Sequence, residues 1–306
     1  MMGRILLSGA TGFLGSHILE ALLDRGYQVS VLKRSSSSLW RIQHLVEKVR
    51  FIDVDRTSVL EAFSNGPVDA IIHTACNYGR ALETHYQVAE TNLFFGLGLL
   101  QAAASNGVGL FINADSFFSA SDNLSGYLGA YALSKKQFSE WLQLASSPDL
   151  KVANLRLQHL YGPRDADNKF IPWLTGELLA GRETVDLTSG TQLRDFVHVR
   201  DVADAFVAVL TYQDTLGTWN EFNVGTAHLI PLRSMIEALY SEVSRVQPNP
   251  PPRLNFGALP MKPGEIDNPG PIERTSWPKG WRPRIGLKEG LREVVSEFVK
   301  NGYSYD

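Results

Sequence analysis

The sequence contains almost no cysteine and no long run of apolar residues. Cys76 is the single cysteine in 306 residues, which excludes an internal disulfide and a zinc site built from several cysteines. The longest apolar runs are far shorter than the roughly 20 residues that a transmembrane helix needs. Only the three apolar residues from Ile5 to Leu7 precede the first glycine loop, too few for the hydrophobic region of a signal peptide. We therefore expect a cytoplasmic protein that does not enter a membrane.

An excess of one charge is also missing. Lysine and arginine number 29 against 32 aspartate and glutamate, for a formal net charge of −3. Such a chain is a poor candidate for binding nucleic acid or an anionic membrane surface through charge alone. Apolar residues make up 44% of the chain and charged residues 20%, which is enough to bury a core. The length fits one large domain or two of ordinary size, and we expect an enzyme.

Short apolar runs alternate with longer amphipathic stretches in the first half of the chain. The runs lack the polar alternation of a half-exposed strand, which favours a parallel sheet covered on both faces. Strict alternation of strand and helix predicts a doubly wound α/β fold of the Rossmann type. The predicted strands are Arg4–Ser8, Gln28–Lys33, Val49–Val54, Ala70–Thr74, Gly109–Ala114 and Lys151–Leu157, and the predicted helices are Leu14–Asp24, Ser58–Ser64, Ala81–Ser105 and Gly129–Ser146.

Prolines interrupt this pattern in the second half, with a cluster at 248–252. Such punctuation indicates loops and short elements rather than regular crossovers. We predict that residues 1–158, joined by 198–224, form a dinucleotide-binding domain. Residues 159–197 and 225–306 are predicted to form a smaller substrate-binding lobe, with a cleft between the two parts.

A glycine loop lies between the first predicted strand and the first predicted helix, over residues 9–15. Glycines at such a junction allow a tight turn and let the backbone approach a pyrophosphate, which the helix N-terminus then faces with free N–H groups. An ordinary turn is the alternative, and the position directly after the first strand favours the cofactor site. The loop residues expected to bind the cofactor are Gly9, Thr11, Gly12, Phe13, Leu14 and Gly15.

The second predicted strand ends in two cations. A cofactor with a free ribose 2′-hydroxyl usually meets an acidic residue at this place, whereas a 2′-phosphate meets an arginine. Here the chain has Lys33, Arg34 and Ser35, and an arginine binds a phosphate through two parallel hydrogen bonds. A solvated basic turn is the alternative. We predict that these residues bind the cofactor and that the cofactor is NADP(H).

A tyrosine and a lysine one helical turn apart predict a catalytic pair. Tyr131 and Lys135 share one face of a predicted helix, and a nearby ammonium lowers the high pKa of a phenol. This motif is weak alone, and so is Ser116, because a serine after a strand is most often a cap or turn residue. Ser116 follows the fifth predicted strand, however, at the edge where ligands meet parallel sheets. In this order after the glycine loop, the three residues predict a site that moves a proton.

These motifs, together with others further along the chain, resemble the extended short-chain dehydrogenase/reductase family of nucleotide-sugar epimerases and dehydratases. The resemblance covers nearly the whole chain and implies a Rossmann domain with a smaller substrate lobe. Besides the glycine loop and the three catalytic residues, it rests on Ile71-Ile72-His73-Thr74-Ala75, Asn92 to Gly96, Leu160-Tyr161-Gly162-Pro163, Arg194-Asp195-Phe196-Val197-His198-Val199 with Asp201-Val202-Ala203, and Phe222-Asn223-Val224-Gly225.

The resemblance implies roles for further residues. Asp55 and Arg56 would flank the adenine of the cofactor. Arg194 would grip the diphosphate of a nucleotide sugar, unless it forms an ion pair with Asp195 or Asp201. The other implied positions are Thr74, Ala75 and Asn92 along the cofactor channel, Gln158 and His159 at the nicotinamide end, and Lys262 beside the substrate, where the family often has an arginine.

Two features narrow the resemblance. Sugar 4,6-dehydratases of this family carry an Asp-Glu pair after the catalytic hydroxyl residue, and here that place is taken by Phe117 and Phe118, which transfer no protons. The short interval from Ser116 to Tyr131 resembles the CDP-abequose and CDP-paratose synthase group, as do the segments Asn113-Ala114-Asp115-Ser116, Asn77-Tyr78-Gly79-Arg80 and 131–138. Members of this group reduce the 4-keto group of a nucleotide-linked 3,6-dideoxy sugar. Tyr78 and Ser116 are accordingly expected to bind the substrate.

The resemblance favours an NADPH-dependent 4-ketoreductase, and three alternatives stay open. An NAD-dependent 4-epimerase uses the same catalytic residues, but it generally has an acidic residue in place of the two cations. A reductase of a small ketone has no need of Arg194, and an inactive cofactor-binding protein usually lacks the tyrosine or the lysine. The family also implies a homodimer through the predicted helices Ala81–Ser105 and Gly129–Ser146. None of the seven histidines lies at zinc-ligand spacing, so no metal is expected.

Overall fold

The chain divides into two compact units, which are described separately. The structure is a computed structural model that describes residues 3–80, 82–120, 128–247, 249–261, 264–270 and 272–300. The first unit comprises Met1–Leu157, Val202–Val224 and Arg274–Arg282, and the second comprises Gln158–Asp201, Gly225–Glu273 and Pro283–Asp306.

A seven-stranded parallel sheet forms the centre of the first unit. Its strands are β1 (Arg4–Ser8), β2 (Gln28–Lys33), β3 (Arg50–Asp53), β4 (Ala70–His73), β5 (Leu110–Ser116), β6 (Lys151–Leu157) and β11 (Trp219–Val224). The order across the sheet is β11-β6-β5-β4-β1-β2-β3, and every neighbouring pair is parallel. The chain order reverses between β1 and β4, which is the switch point where doubly wound sheets bind ligands. The predicted Rossmann-type fold is confirmed.

The described residues form helices in both units. The α-helices are α1 (Phe13–Asp24), α2 (His85–Ala89), α3 (Phe95–Ser105), α4 (Gly129–Ala145), α5 (Phe170–Leu179), α6 (Val199–Thr211), α7 (Leu232–Val243) and α8 (Leu287–Lys300), and a π-helical turn (Glu90–Phe94) joins α2 to α3. Short 3-10 helices occur at Trp40–Lys48, Val59–Phe63, Phe117–Ala120, Gln213–Thr215 and Arg274–Ser276. Within the described part of the chain, no helix is long and apolar enough to cross a membrane.

The core of the first unit explains why the strands lack polar alternation. All residues of β4 and β5 are buried, because helices pack on both faces of a parallel sheet. Leu6, Ile71, Phe111 and Val152 come from four strands and join one apolar cluster with residues of α3 and α4, such as Phe138.

The second unit is built from short elements around three helices. Its remaining strands are β7 (His159–Tyr161), β8 (Thr184–Leu187), β9 (Leu193–Arg194), β10 (Phe196–His198), β12 (Ile230–Pro231) and β13 (Arg253–Phe256). They form three two-stranded pairs, β7 with β10, β9 with β12 and β8 with β13. A second apolar cluster, which includes Leu174, Leu239 and Val294, draws on α5, α7 and α8.

Two predicted boundaries were wrong in ways that affect the candidate site. Strand β5 ends at Ser116 rather than before it, because Asp115 and Ser116 continue the ladder opposite Arg156 and Leu157 of β6. The predicted helix over 81–105 instead begins at His85, where Thr84 and Gln87 form a capping box. Its middle widens into the π-helical turn before α3 begins.

Candidate active site

The glycine loop makes the tight junction between β1 and α1 that its sequence predicts. Gly9 has a φ of +78°, and a Cβ there would lie 2.6 Å from the Thr74 Oγ1 atom. A Cβ on Gly15 would lie 2.1 Å from the Gly9 carbonyl oxygen, so α1 approaches β1 at a distance that only glycine allows. Gly12 precedes α1, and neither it nor an acidic side chain in the first turn caps the helix. The first-turn N–H groups are therefore available to an anion.

Loop residues Thr11, Phe13 and Leu14 carry fewer constraints of their own. Phe13 and Leu14 open α1, and the Phe13 ring meets His17 edge-on with its centroid 5.7 Å away. At the neighbouring strand end, the Thr74 hydroxyl donates to the Ser8 carbonyl over 2.8 Å, which ties the end of β4 to the end of β1. Ala75 follows directly.

At the end of β2, two nearby carboxylates are already engaged. The Lys33 ammonium lies 2.5 Å from the Asp53 Oδ1 atom, so its charge is balanced by the neighbouring strand. The backbone N–H and the hydroxyl of Ser35 both donate to the Asp55 carboxylate over 2.7 Å, and these hydrogen bonds lower the Asp55 pKa. Arg34, between them, is exposed, and among the described residues its guanidinium has no partner.

Arg41 lies next to the glycine loop, although it was not among the predicted site residues. The Arg41 Nη1 atom donates to the Thr11 carbonyl over 3.4 Å, and its guanidinium lies over the Trp40 ring at 4.2 Å. Both residues belong to the 3-10 helix at Trp40–Lys48. No sequence motif identifies Arg41, because its position next to the glycine loop depends on the course of the serine-rich turn that precedes it.

Tyr131, Ser116 and Lys135 come together at the ends of β5 and α4. All three are buried, at 5%, 6% and 2% exposure. The Ser116 side chain forms a hydrogen bond with the Tyr131 hydroxyl, and the Lys135 ammonium donates to the Ala114 carbonyl over 2.7 Å. The structure thus unites the three predicted catalytic residues.

The pKa of Tyr131 differs from the expectation that the nearby ammonium lowers it. Burial raises the pKa of this phenol well above its usual value, and the nearby Cys76 thiol and Asp115 carboxyl add to the rise. The hydrogen bond from Ser116 and the positive charge of Arg80 act in the opposite direction and are outweighed. At neutral pH the phenol therefore keeps its proton.

Two aromatic rings pack against the Tyr131 ring. The Tyr78 ring stacks on the Tyr131 ring with centroids 4.9 Å apart, and Phe118 meets it edge-on at 6.4 Å. The Arg80 guanidinium lies 5.2 Å from the Tyr78 ring centroid. Tyr78 was a predicted substrate contact, whereas Arg80 and Cys76 were not predicted site residues, because the segment that contains Arg80 gave it no role and no motif includes Cys76.

The Asn92 side chain connects two segments of the candidate site through hydrogen bonds. Its side chain accepts a hydrogen bond from the Asn77 N–H over 2.7 Å and donates to the Asn77 carbonyl and the Ser134 hydroxyl. It thereby links the loop after β4 to α4. His73 lies nearby with its Nδ1 atom 2.7 Å from the Ser8 hydroxyl, and burial together with the Lys135 charge lowers its pKa to about 3.

In the second unit, Arg194 is buried and pairs with Glu265. Its guanidinium donates to the carbonyls of Leu193 and Ile266 and lies 2.8 Å from the Glu265 Oε1 atom. The ion pair that the structure gives Arg194 is with Glu265, whereas the alternative to a role in diphosphate binding had named Asp195 or Asp201.

The two aspartates receive backbone hydrogen bonds instead. Asp195 accepts from Thr226 and Ala227, and burial raises its pKa. Asp201 accepts from the N–H groups of Arg284 and Ile285.

The remaining predicted residues are distributed over both units. Gln158 is buried in the second unit, and the His159 ring packs against Phe196 at 5.8 Å. Arg56, in the first unit, donates its N–H to the Asp53 carbonyl over 2.9 Å, and Lys262 lies outside the described residues. Across the described ranges, no group of three or more histidine, cysteine, aspartate or glutamate side chains is placed to hold a metal ion.

Comparison with known proteins agrees with this geometry. A family model described as the NAD dependent epimerase/dehydratase family matches residues 5–225. The CDP-abequose synthase of Salmonella typhimurium is 30% identical over 302 residues, which span 96% of this chain and 98% of the relative. The UDP-glucose 4-epimerase of Mycolicibacterium smegmatis is 28% identical, over 97% of this chain and 99% of the relative. The structure of the Thermus thermophilus UDP-glucose 4-epimerase with NAD has a TM-score of 0.79 at 27% identity, over 97% and 99% of the two chains.

Proposed function

Because this chain belongs to the NAD dependent epimerase/dehydratase family, we propose that it reduces the 4-keto group of a nucleotide-linked deoxysugar with NADPH. The observation that carries the choice of cofactor is the exposed Arg34, beside two carboxylates that Lys33 and Ser35 already occupy. A 2′-phosphate would meet an available guanidinium there, and the Lys33 ammonium balances the charge of Asp53. The similarity to a CDP-abequose synthase over nearly the whole chain supports the substrate class.

The residues around the loop fit a dinucleotide. Side chains at Gly9 or Gly15 would fill the space where backbone, helix and strand end meet, and the uncapped start of α1 presents N–H groups suited to a pyrophosphate. A bound nicotinamide cofactor supplies the hydride. Arg34 would hold the 2′-phosphate.

We assign the proton chemistry to the hydrogen-bonded pair of Tyr131 and Ser116. Tyr131 holds its proton at neutral pH, which is the state that a proton donor to a developing alkoxide needs. Ser116 would fix the carbonyl oxygen, and Lys135 would orient the cofactor ribose. Arg194, oriented by Glu265, is the proposed anchor of the diphosphate, so that binding far from the reacting carbon positions the sugar.

A nucleotide-sugar 4-epimerase is the second candidate. Two observations favour it: the 28% identity to a UDP-glucose 4-epimerase over almost the whole chain and the similarity to a solved epimerase that holds NAD. The two functions make opposite demands on the cofactor. The reductase consumes free NADPH, whereas the epimerase uses a retained NAD that returns to its oxidised state in each cycle.

Cofactor titration separates these candidates. We expect the protein to bind NADPH at least tenfold more tightly than NADH, about 1.4 kcal/mol, and Arg34→Ala to abolish most of that preference. Arg182→Ala, which removes an exposed arginine paired with Glu177 in the second unit, is the matched control and should leave the preference intact. Equal NADH binding, or NAD retained through purification, would refute the 2′-phosphate site and favour the epimerase.

We further propose that the protein is a homodimer. Leu133, Trp141 and Leu144 form a stripe along one face of α4 and are 39%, 48% and 76% exposed. Phe94, in the π-helical turn that packs beside α4, is exposed as well. An apolar patch of large side chains on neighbouring helices is typical of a surface that binds another protein.

A further inference from the structure

A buried polar ladder crosses the sheet next to the candidate catalytic residues. Asn113 donates to Asn154 over 2.7 Å, and Asn154 donates to the Asp115 Oδ2 atom over 2.8 Å and to Ser139 over 3.1 Å. The Ser119 hydroxyl lies 2.9 Å from the same Oδ2 atom and 2.7 Å from the Ser116 carbonyl oxygen. All five ladder residues are buried. Asp115 is the only one of these five that can carry a charge.

A carboxylate in this position is costly unless a charge balances it. Asp115 is 2% exposed, and among the described residues its Oδ1 atom has no hydrogen-bond partner. An amide or a hydroxyl oxygen in place of the Asp115 carboxylate could accept the same hydrogen bonds from Asn154 and Ser119. Hydrogen bonding alone therefore does not explain why this residue is an acid. Burying an ionised group demands a counter-charge or a shift of its pKa.

Two cations, Lys135 and Arg156, lie near this carboxylate. The Lys135 ammonium is 2% exposed and donates to the carbonyl of Ala114, the residue next to Asp115. Arg156 is the other cation nearby, with its Nε atom 3.7 Å from the carboxylate. Its Nη1 atom also pairs with Glu221 at 2.6 Å, so Arg156 shares its charge between two carboxylates, whereas Lys135 is the cation that is buried beside the end of β5.

We propose that Asp115 is a positioning residue of the reaction: its carboxylate is the counter-charge that keeps the Lys135 ammonium at the end of β5, and through Ser119 it fixes the strand end that presents Ser116 to Tyr131. This inference rests on the proposed function, since it assigns Asp115 to the machinery of the same site. The segment Asn113-Ala114-Asp115-Ser116 contributes to the resemblance to a family group but assigns Asp115 no role, because that role depends on contacts from β6, α4 and the 3-10 helix after β5.

The charged and titratable groups around Asp115 determine the sign of its pH response. Burial raises the pKa of the Asp115 carboxyl, and the Lys135 charge and the hydrogen bonds of the ladder oppose this rise. As the pH falls, Asp115 therefore takes up its proton at a higher pH than an ordinary aspartate does, and Asp115→Asn reproduces the protonated form at every pH. The groups that face it are Lys135 and Tyr131 on α4, Arg156 on β6 and Glu221 on β11, while His73 on β4 stays neutral beside Lys135.

The first test is the pH profile of ketone reduction by Asp115→Asn. We expect kcat near neutral pH to fall about tenfold or more, with a KM for the keto sugar within about threefold of the parent. The two profiles should converge toward acid pH, and the alkaline decline of the variant should begin at lower pH, because Asp115 no longer raises the Tyr131 pKa. Ser139→Ala is the matched control, since it removes a ladder hydrogen bond to Asn154 and leaves the Asp115 charge in place. Its profile should run parallel to the parent's.

The second test needs no substrate, so it stands even if the proposed reaction is wrong. In a double-mutant cycle on thermal unfolding, Asp115→Asn should lower Tm by at least about 2 °C more when Lys135 is present than in the Lys135→Met background. An equal change in both backgrounds would overturn the proposed charge pairing. A coupled Tm change without activity on any keto sugar would instead contradict the proposed function alone.

A kcat for Asp115→Asn that equals the parent's at neutral pH, or a loss that is the same at every pH, would overturn the positioning role. The second pattern would mark Asp115 as a purely structural member of the ladder. Cofactor affinity, measured alongside, shows that the variant is folded.

Discussion

Tyr131 keeps its proton because it is buried. Removing its hydroxyl group should therefore lower the rate of proton transfer and leave cofactor binding unchanged. Tyr131→Phe removes the hydroxyl that bonds Ser116 and keeps the ring that packs against Tyr78. We expect the rate of ketone reduction to fall by about 10²- to 10⁴-fold, with NADPH affinity unchanged within about threefold. Steady-state kinetics and a fluorescence titration measure the two quantities. Tyr212→Phe, a half-exposed tyrosine beside Lys279, is the control, and equal losses in both variants would argue against the assignment.

The pH dependence of kcat/KM of the unsubstituted protein is a second test of Tyr131 as the proton donor. A proton donor acts while it is protonated, so the rate is level below its pKa and declines above it. Because burial raises the Tyr131 pKa above the ordinary 10.0, kcat/KM should show no alkaline decline below about pH 10. A decline centred near pH 7, absent from the cofactor-binding profile, would show that Tyr131 is not the donor or that its pKa is low.

Residue identities could be predicted from the sequence where a motif fixes them, and their partners could not. Ser116, Tyr131 and Lys135 lie together as their order along the chain indicates. The partner of Arg194 is Glu265, 71 residues away, and proximity along the chain pointed to Asp195 or Asp201 instead. A carboxylate that approaches from a distant loop leaves no periodic trace, so only the folded chain reveals it.

At the scale of an element, two glycines of the loop between β1 and α1 have different expected roles. Gly15 allows the helix to pack closely on the strand, and Gly12 leaves room for the cofactor at the start of the helix. Gly15→Ala puts a methyl group 2.1 Å from the Gly9 carbonyl oxygen, whereas Gly12→Ala puts one at 3.2 Å from the same atom. We expect Gly15→Ala to lower the free energy of unfolding by about 2 kcal/mol or more, because backbone must shift to admit it. Gly12→Ala should cost under about 1 kcal/mol and still weaken NADPH binding, since its methyl group lies at the start of α1.

Denaturant unfolding and cofactor titration of the two variants give the comparison. If Gly12→Ala binds NADPH like the parent, the start of α1 is not where the pyrophosphate lies. If Gly15→Ala is as stable as the parent, the close approach of α1 to β1 is more tolerant than the geometry indicates.

Three strands of the sheet were predicted with their observed bounds. They are β1, β2 and β6, whose bounds could be predicted because each carries several apolar residues that are buried in a sheet covered on both faces. The predicted helix over 81–105 failed at its start and its middle, since Asn92 sits in a π-helical turn from which it bonds Asn77 and Ser134. Side-chain contacts with other elements accompany that turn, and helical periodicity carries no information about them.

At the scale of the whole molecule, the apolar stripe on α4 predicts the oligomeric state. Leu144 is 76% exposed and Trp141 48%, and burying such side chains contributes about 1.5–3 kcal/mol each. Leu144→Glu places a charge within that surface, and a buried unpaired charge is strongly unfavourable. We expect the parent to sediment as a dimer and the variant as a monomer in analytical ultracentrifugation, with the far-ultraviolet spectrum unchanged.

Val299→Glu is the matched control, because Val299 is 51% exposed on α8, a helix of the second unit outside the apolar stripe. It should leave the dimer intact, which separates the effect of losing this surface from that of an added charge. The Leu144→Glu monomer should also lose thermal stability, since association stabilises the folded state by mass action, and its Tm should depend less on protein concentration than the parent's. A parent that sediments as a monomer at micromolar concentration would refute the dimer and leave the stripe on α4 as a surface for a different protein.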